Sequence, residues 1–209
     1  MATFVSDSEF TQLASEEQIA KTVQALVAHG IRTVVFETGQ EARNYVLGLI
    51  PPGAEVYNSP SRTLELIGLA EDIEHPTRFQ SVRAQLHSLD RITQRNEMRK
   101  LGVSPDVLVG SVHAITEQGE VLIASATGSQ LGPAASGAGA VIWVVGTQKL
   151  VRTLEDGLRR IREHSLPLES ERTQQVYGQA SAINKLLIVN GEAYPGRITI
   201  VLVKQLLGF

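Results

Sequence analysis

Val141-Ile142-Trp143-Val144-Val145 is followed by Gly146-Thr147-Gln148-Lys149 and then by Val151, Leu154, Leu158 and Ile161. Five consecutive apolar residues rich in β-branched side chains read as a strand buried on both faces, the habit of a parallel sheet covered by helices. The residues that follow recur at helical spacing and stripe one face of a helix. Its outer face carries Glu155/Arg159 and Asp156/Arg160 in i,i+4 order. A buried strand feeding an amphipathic helix through a short polar turn is the repeating unit of α/β folds.

Working outward, the unit recurs. Ser15-Glu16-Glu17-Gln18 has capping-box spacing ahead of Ile19, Val23, Leu26 and Val27, with Gly30 at the C-cap. Arg32 to Glu37 reads as a strand, and Thr38 to Glu41 opens a second helix that Pro51-Pro52-Gly53 stops. Ala54 to Tyr57 is a strand; Ser59-Pro60 reads as an N-cap with proline at the first helical position, and Leu64 to Ala70 continues that helix. Phe79, Val82, Leu86 and Leu89 predict one long helix over Thr77 to Leu101. Asp106 to Gly110 is a strand, leading through Ser111 to Ile115 into a turn at Glu117 to Glu120 and a further strand, Val121 to Ala124. Thr127 to Gly139 reads as a loop entering a short helix, and Ser165 to Ala182 fits neither period. Lys185 to Val189 and Arg197 to Val203 look like neighbouring or hairpin strands at a sheet edge. The expectation is an N-terminal extension over 1–14 and one α/β domain over 15–209.

Composition narrows the function. In 209 residues, 19 Lys+Arg against 22 Asp+Glu give a net charge of −3, unlike a domain built on a nucleic-acid backbone. The row Arg91, Arg95, Arg99 at i,i+4 therefore reads as a solvated basic face, the alternatives being steering of an anionic ligand and, against the acidic balance, a nucleic-acid surface. The absence of cysteine excludes disulfides, thiolate metal sites and a cysteine nucleophile. His29, His75, His87, His113 and His164 show no ligand spacing, so no metal is expected. The start of the chain has no basic, apolar signal-peptide pattern, and no run is long enough to span a membrane. The expectation is a cytoplasmic protein without membrane insertion.

In open α/β sheets ligands gather beyond the carboxyl ends of the strands. That rule selects Thr38 and Gly39; Asn58, Ser59 and Ser61; Ser111 and His113; Thr127, Gly128, Ser129 and Gln130; and Gly146, Thr147, Gln148 and Lys149. Such a rim suits phosphate or carboxylate, because free helical N–H groups and the macrodipole favour an anion. The alternative for each Ser or Thr is a helix cap. Lys149 is an anion clamp or a solvated lysine at a strand end. Glu117 is an acid, base or nucleophile, or an exposed turn carboxylate. The Gly128–Gly139 stretch matches neither a P-loop nor a dinucleotide fingerprint, so no nucleotide cofactor is expected.

The run from Asp106 to Glu120, with Ala114-Ile115-Thr116-Glu117 at its centre, then Gly128 and the Val141 to Val151 segment, resembles the LUD domain, the lactate-utilisation family. Asn58 to Leu69 and the ending Pro195 to Phe209 extend the likeness over nearly the whole chain. The resemblance implies a Rossmann-like three-layer fold, a mainly parallel sheet with helices on both faces, shared with glucosamine-phosphate isomerase/deaminase, ribose-phosphate isomerase and CoA transferases. It implies a small anionic metabolite, or its CoA or phosphate ester, bound at the rim in lactate-type organic-acid metabolism. The resemblance implies other lactate-utilisation subunits or a homo-oligomer as partners, and it assigns no catalytic residue. For a catalytic chain, the residues themselves give Glu117 as acid, base or nucleophile, Lys149 as anion clamp and the amides around Gly128 and Thr147 as oxyanion or phosphate contacts. The alternative is a non-catalytic sensor or accessory subunit. The chain departs from similar sequences at His113 and Gln148, where asparagine is common. It departs again at Ser129-Gln130, in place of Asn-Arg, and in lacking a cysteine cluster between Ser165 and Asn184.

Overall fold

Strand β7 (Ala140–Gly146) sends Val141, Trp143 and Val145 to one face of its sheet and Ile142 and Val144 to the other, and all five are buried. This period-two division organises the molecule, whose computed structural model describes residues 8–90 and 92–209. Met1 to Asp7 of the expected N-terminal extension, and Arg91 of the basic row, lie outside the described residues.

Around β7 a six-stranded sheet forms from β1 (Arg32–Phe36), β2 (Glu55–Asn58), β3 (Gln80–Ser81), β4 (Val107–Gly110) and β10 (Ile198–Val203), in the order β1-β10-β7-β4-β2-β3. Every pairing within it is parallel. On one face, Val56, Val107, Val109, Ile142, Val144 and Val201 pack under α2 (Gly39–Leu49), α3 (Arg62–Leu66) and α4 (Leu69–Glu74). On the other, Leu108, Trp143, Ile200 and their neighbours meet α1 (Glu16–Ala28), α5 (Val82–Ser88) and a second sheet. The arrangement is a Rossmann-like three-layer α/β fold.

The second sheet has the order β8-β5-β6-β9, built from β5 (Ala114–Thr116), β6 (Val121–Ser125), β8 (Leu150–Val151) and β9 (Lys185–Val189). Its outer face, through Ala114, Leu122 and Ala124, packs on Leu154, Leu158 and Ile161. Those side chains belong to a helical run made of α7 (Leu154–Arg160), a π-helical turn (Ile161–Ser165) and α8 (Leu166–Tyr177). Pro167 has no N–H to give the carbonyl four residues back and its ring crowds that carbonyl, which accounts for the wide turn just before it.

Four expectations change. The predicted Thr77–Leu101 helix is broken into β3, α5 and α6 (Arg95–Val103). Phe79 packs with the α2–α4 core and Val82 and Leu86 with the opposite one, and the Asp90 carboxylate accepts from the Ile92 and Thr93 amides to hold a turn. The N-cap of α3 is Ser61, not Ser59, and Gly68 at φ 74° separates α3 from α4. The last two strands are not neighbours: β10 lies in the middle of the main sheet and β9 on the edge of the second. Finally, Arg160 is not on an outer face. It is fully buried, while Asp156 completes a capping box with Thr153.

Candidate functional site

A cleft of about 230 Å³ opens beyond the carboxyl ends of β2 and β4. The first turn of α3 forms one wall, the β4–β5 connection and the end of β6 another, and the helical run from Ile161 to Arg172 the third. Ser61, which accepts from the Leu64 amide as the cap of α3, brings Thr63 to the cleft. Two ion pairs stand at its border, Arg62 with Glu65 at 2.5 Å and Arg172 with Glu169 at 2.7 Å. The bidentate contact with Glu169 holds Arg172 above the ordinary arginine range.

Lys149 reaches this cleft from the turn that ends β7. It is 2% exposed, and its Nζ donates to Thr63 Oγ1 at 3.0 Å and sits 3.1 Å from Ser111 Oγ. Neither partner is charged. Burial, and secondly the like charge of Arg160, push the Lys149 ammonium well below the usual lysine range.

Arg160 lies just behind the wall. Its Nη1 donates to the His113 carbonyl at 2.5 Å and to Ser165 Oγ at 3.0 Å, while Nε and Nη2 have no hydrogen-bond partner among the described residues. Burial lowers its pKa as well. His113 Nδ1 accepts from the Ala124 amide at 3.2 Å, so the ring proton is on Nε2. Burial first, then Lys149 and Arg160, push the His113 pKa down to about 3, and the imidazole is neutral. The centre of the site thus combines two buried basic side chains, a neutral imidazole and hydroxyl groups, with no carboxylate hydrogen-bonded to either base. Among the described residues there is no cluster of His, Cys, Asp and Glu suited to a metal ion.

Seven of the rim positions selected from sequence come together here: Ser61, Ser111, His113, Thr127, Ser129, Gln130 and Lys149. Ser59 is buried with its amide donating to Val109, and Gly128, at φ 86°, stacks on Lys185 away from the cleft lining. Gly146 and Thr147 are buried in the turn beneath, where a Cβ on Gly146 would meet Gln148 Oε1 and the Gln205 carbonyl. Gln148 ties that turn to the carbonyls of Leu207 and Gly208. Thr38, Gly39 and Asn58 serve α2 and the Glu74 carboxylate instead.

Glu117 is not in the cleft lining. The β5–β6 hairpin carries His113 at one end and the turn at the other; Gly119 packs on α1, and Glu117 forms a 2.6 Å ion pair with Lys21 of that helix. Sequence reasoning missed Thr63, Ser165 and Arg160. The signal for Arg160 was Gly157, which faces Leu122 and Ala114, because a residue three places on shares that buried face.

The sequence profile described as LUD domain matches residues 19–205. Comparison with curated proteins finds no match. Among solved structures, a DUF162 family protein from Deinococcus radiodurans superposes with a TM-score of 0.57 at 11% identity, covering 92% of this chain and 99% of that one. That likeness agrees with the fold described above. The profile spans nearly the entire chain, and the protein belongs to the LUD-domain family.

Proposed function

We propose that the cleft binds a small anionic metabolite, or its CoA or phosphate ester. The observation that carries this reading is the buried pair Lys149 and Arg160, which lacks a carboxylate partner. The desolvated guanidinium of Arg160 costs on the order of several kcal/mol unless a counter-charge arrives, and Lys149 Nζ is a further donor facing the cleft. A ligand carboxylate or phosphate supplies it, with Ser61, Ser111, Thr127 and Ser129 as further hydrogen-bond partners and His113 Nε2–H as a donor. Family membership supports a role connected with lactate utilisation in general.

A second reading, a sensor or accessory subunit without turnover, is favoured by the state of the acids at the cleft. Glu65 and Glu169 are both held by arginines, and Glu117 is elsewhere. Thermal unfolding with lactate, pyruvate, sugar phosphates and acyl-CoAs tests the binding site common to both readings. A ligand at 100 times its Kd should add about 2.7 kcal/mol of stability. The expected result is a shift for at least one anion that disappears in Lys149→Ala. Failure of every anion to shift the wild-type chain overturns the proposal.

A further inference from the structure

We propose that Lys149 is a nucleophile that captures the carbonyl group of a small 2-oxo acid as an imine. This rests on the anion-binding reading of the cleft and names the class of ligand that suits it. Its basis is hydrogen-bond accounting around one nitrogen. The Thr63 hydroxyl has one proton, and it donates that proton to the Leu207 carbonyl at 3.1 Å. Thr63 Oγ1 therefore accepts from Lys149 Nζ. Ser111 Oγ, 3.1 Å from the same nitrogen, has no other hydrogen bond among the described residues and is free to donate its proton to a lone pair there. The two oxygens fit a neutral amine, which needs an acceptor for its N–H and tolerates a donor at its lone pair. A lone ammonium would call for a carboxylate.

The rest of the surroundings point the same way. Burial comes first in depressing the lysine pKa, and the charge that adds to it is the guanidinium of Arg160, of like sign. Of the five lysines in the chain, Lys21 is exposed on Glu117, Lys204 is paired with Glu16 and Glu37, and Lys100 and Lys185 are exposed. Lys149 alone is enclosed, and it faces a cleft. A 2-oxo acid answers both demands of the site: its carboxylate offsets the charge of Arg160, and its adjacent carbonyl carbon is the electrophile for the amine. The neutral His113 ring, with its proton on Nε2, lines the same cleft and is suited to donate a hydrogen bond to the carbonyl oxygen.

The step balances without an oxidant or reductant. The Nζ lone pair forms the C–N bond while the carbonyl π pair moves to oxygen. Both protons originally on Nζ leave with that oxygen as water, giving a neutral imine. The imine then takes one proton from solvent to become an iminium, whose charge lies beside the ligand carboxylate.

The test is reductive trapping on the full chain, with pyruvate and cyanoborohydride, read by intact mass and peptide mapping. We expect one addition per chain, of the mass of pyruvate less one water plus two hydrogens, located on Lys149. Lys149→Arg, which keeps a long nitrogen-bearing side chain but forms no imine, should lose the addition completely, and Ser111→Ala should slow it. The wild-type map decides alone if either variant does not fold. No addition, or addition spread evenly over the exposed lysines, overturns the inference. Lactate, which has a hydroxyl in place of the carbonyl, separates the two proposals. If lactate and pyruvate both raise the unfolding temperature while pyruvate leaves no adduct, anion binding stands and carbonyl capture falls. If neither compound stabilises the chain and no adduct forms, carbonyl capture falls, and anion binding falls with it when sugar phosphates and acyl-CoAs fail as well.

Discussion

At the scale of residues, Lys149 should make the stability of the fold sensitive to pH. Burial and the field of Arg160 push its pKa well down in the folded chain, whereas an unfolded lysine keeps a value near 10.4. Between those two values the unfolded state holds more protons, so stability rises with pH across that window. Replacing the group by an uncharged chain of similar length, Lys149→Met, should flatten the rise. Urea midpoints measured without ligand at several pH values check this, and an unchanged slope would assign the pH dependence to other groups. Lys149 was legible in the sequence because it comes four residues after a five-residue apolar strand, which places it at the rim. Arg160 was hidden by its own neighbour. Asp156 stands four residues earlier and invites an exposed ion pair, yet its carboxylate is spent on the Thr153 cap.

At the scale of elements, α7 sets the position of Arg160 through one close approach. Gly157 lies so near the second sheet that an added Cβ would be 2.9 Å from Leu122 Cδ2 and 3.5 Å from Ala114 Cβ. Gly157→Ala should push α7 outward, with a loss of about 1–3 kcal/mol typical of overpacking. Because Arg160 moves with the helix, the anion-induced shift in unfolding temperature should shrink as well. Chemical denaturation and the ligand titration measure the two effects separately. The other elements were read with uneven success for a physical reason. Capped helices such as α1 and α2 carry their boundaries in Ser15, Thr38 and Gly30, all local signals. The break at Asp90 and the separation of β9 from β10 depend on which core each segment meets, and spacing along the chain does not encode that.

At the scale of the whole molecule, strand alternation gave the α/β class and the rim, but the insertion of β10 between β1 and β7 is a property of the assembled sheet. The segment ahead of β10 is held by Arg197, whose guanidinium pairs with Glu192 at 2.8 Å and donates to the carbonyls of Ala134, Ala135 and Ala138. The side chains of this pair are 11% and 8% exposed. Arg197→Ala leaves the Glu192 carboxylate without its counter-charge, with the Tyr194 amide as its one remaining donor among the described residues, removes the donors to three carbonyls, and should cost about 3–5 kcal/mol. Equilibrium unfolding checks the loss; a variant as stable as the wild type would show that the central strand needs no such anchor.

The two bases beside the cleft have a consequence for handling the protein at the bench. A chain that buries a guanidinium with no carboxylate hydrogen-bonded to it leaves the choice of counterion to its surroundings. If the cleft takes an anion as proposed, phosphate, sulfate, acetate and citrate are not inert components of a buffer. On the anion-binding proposal they should compete for the place where a metabolite is sought, so that changing the salt changes the occupant.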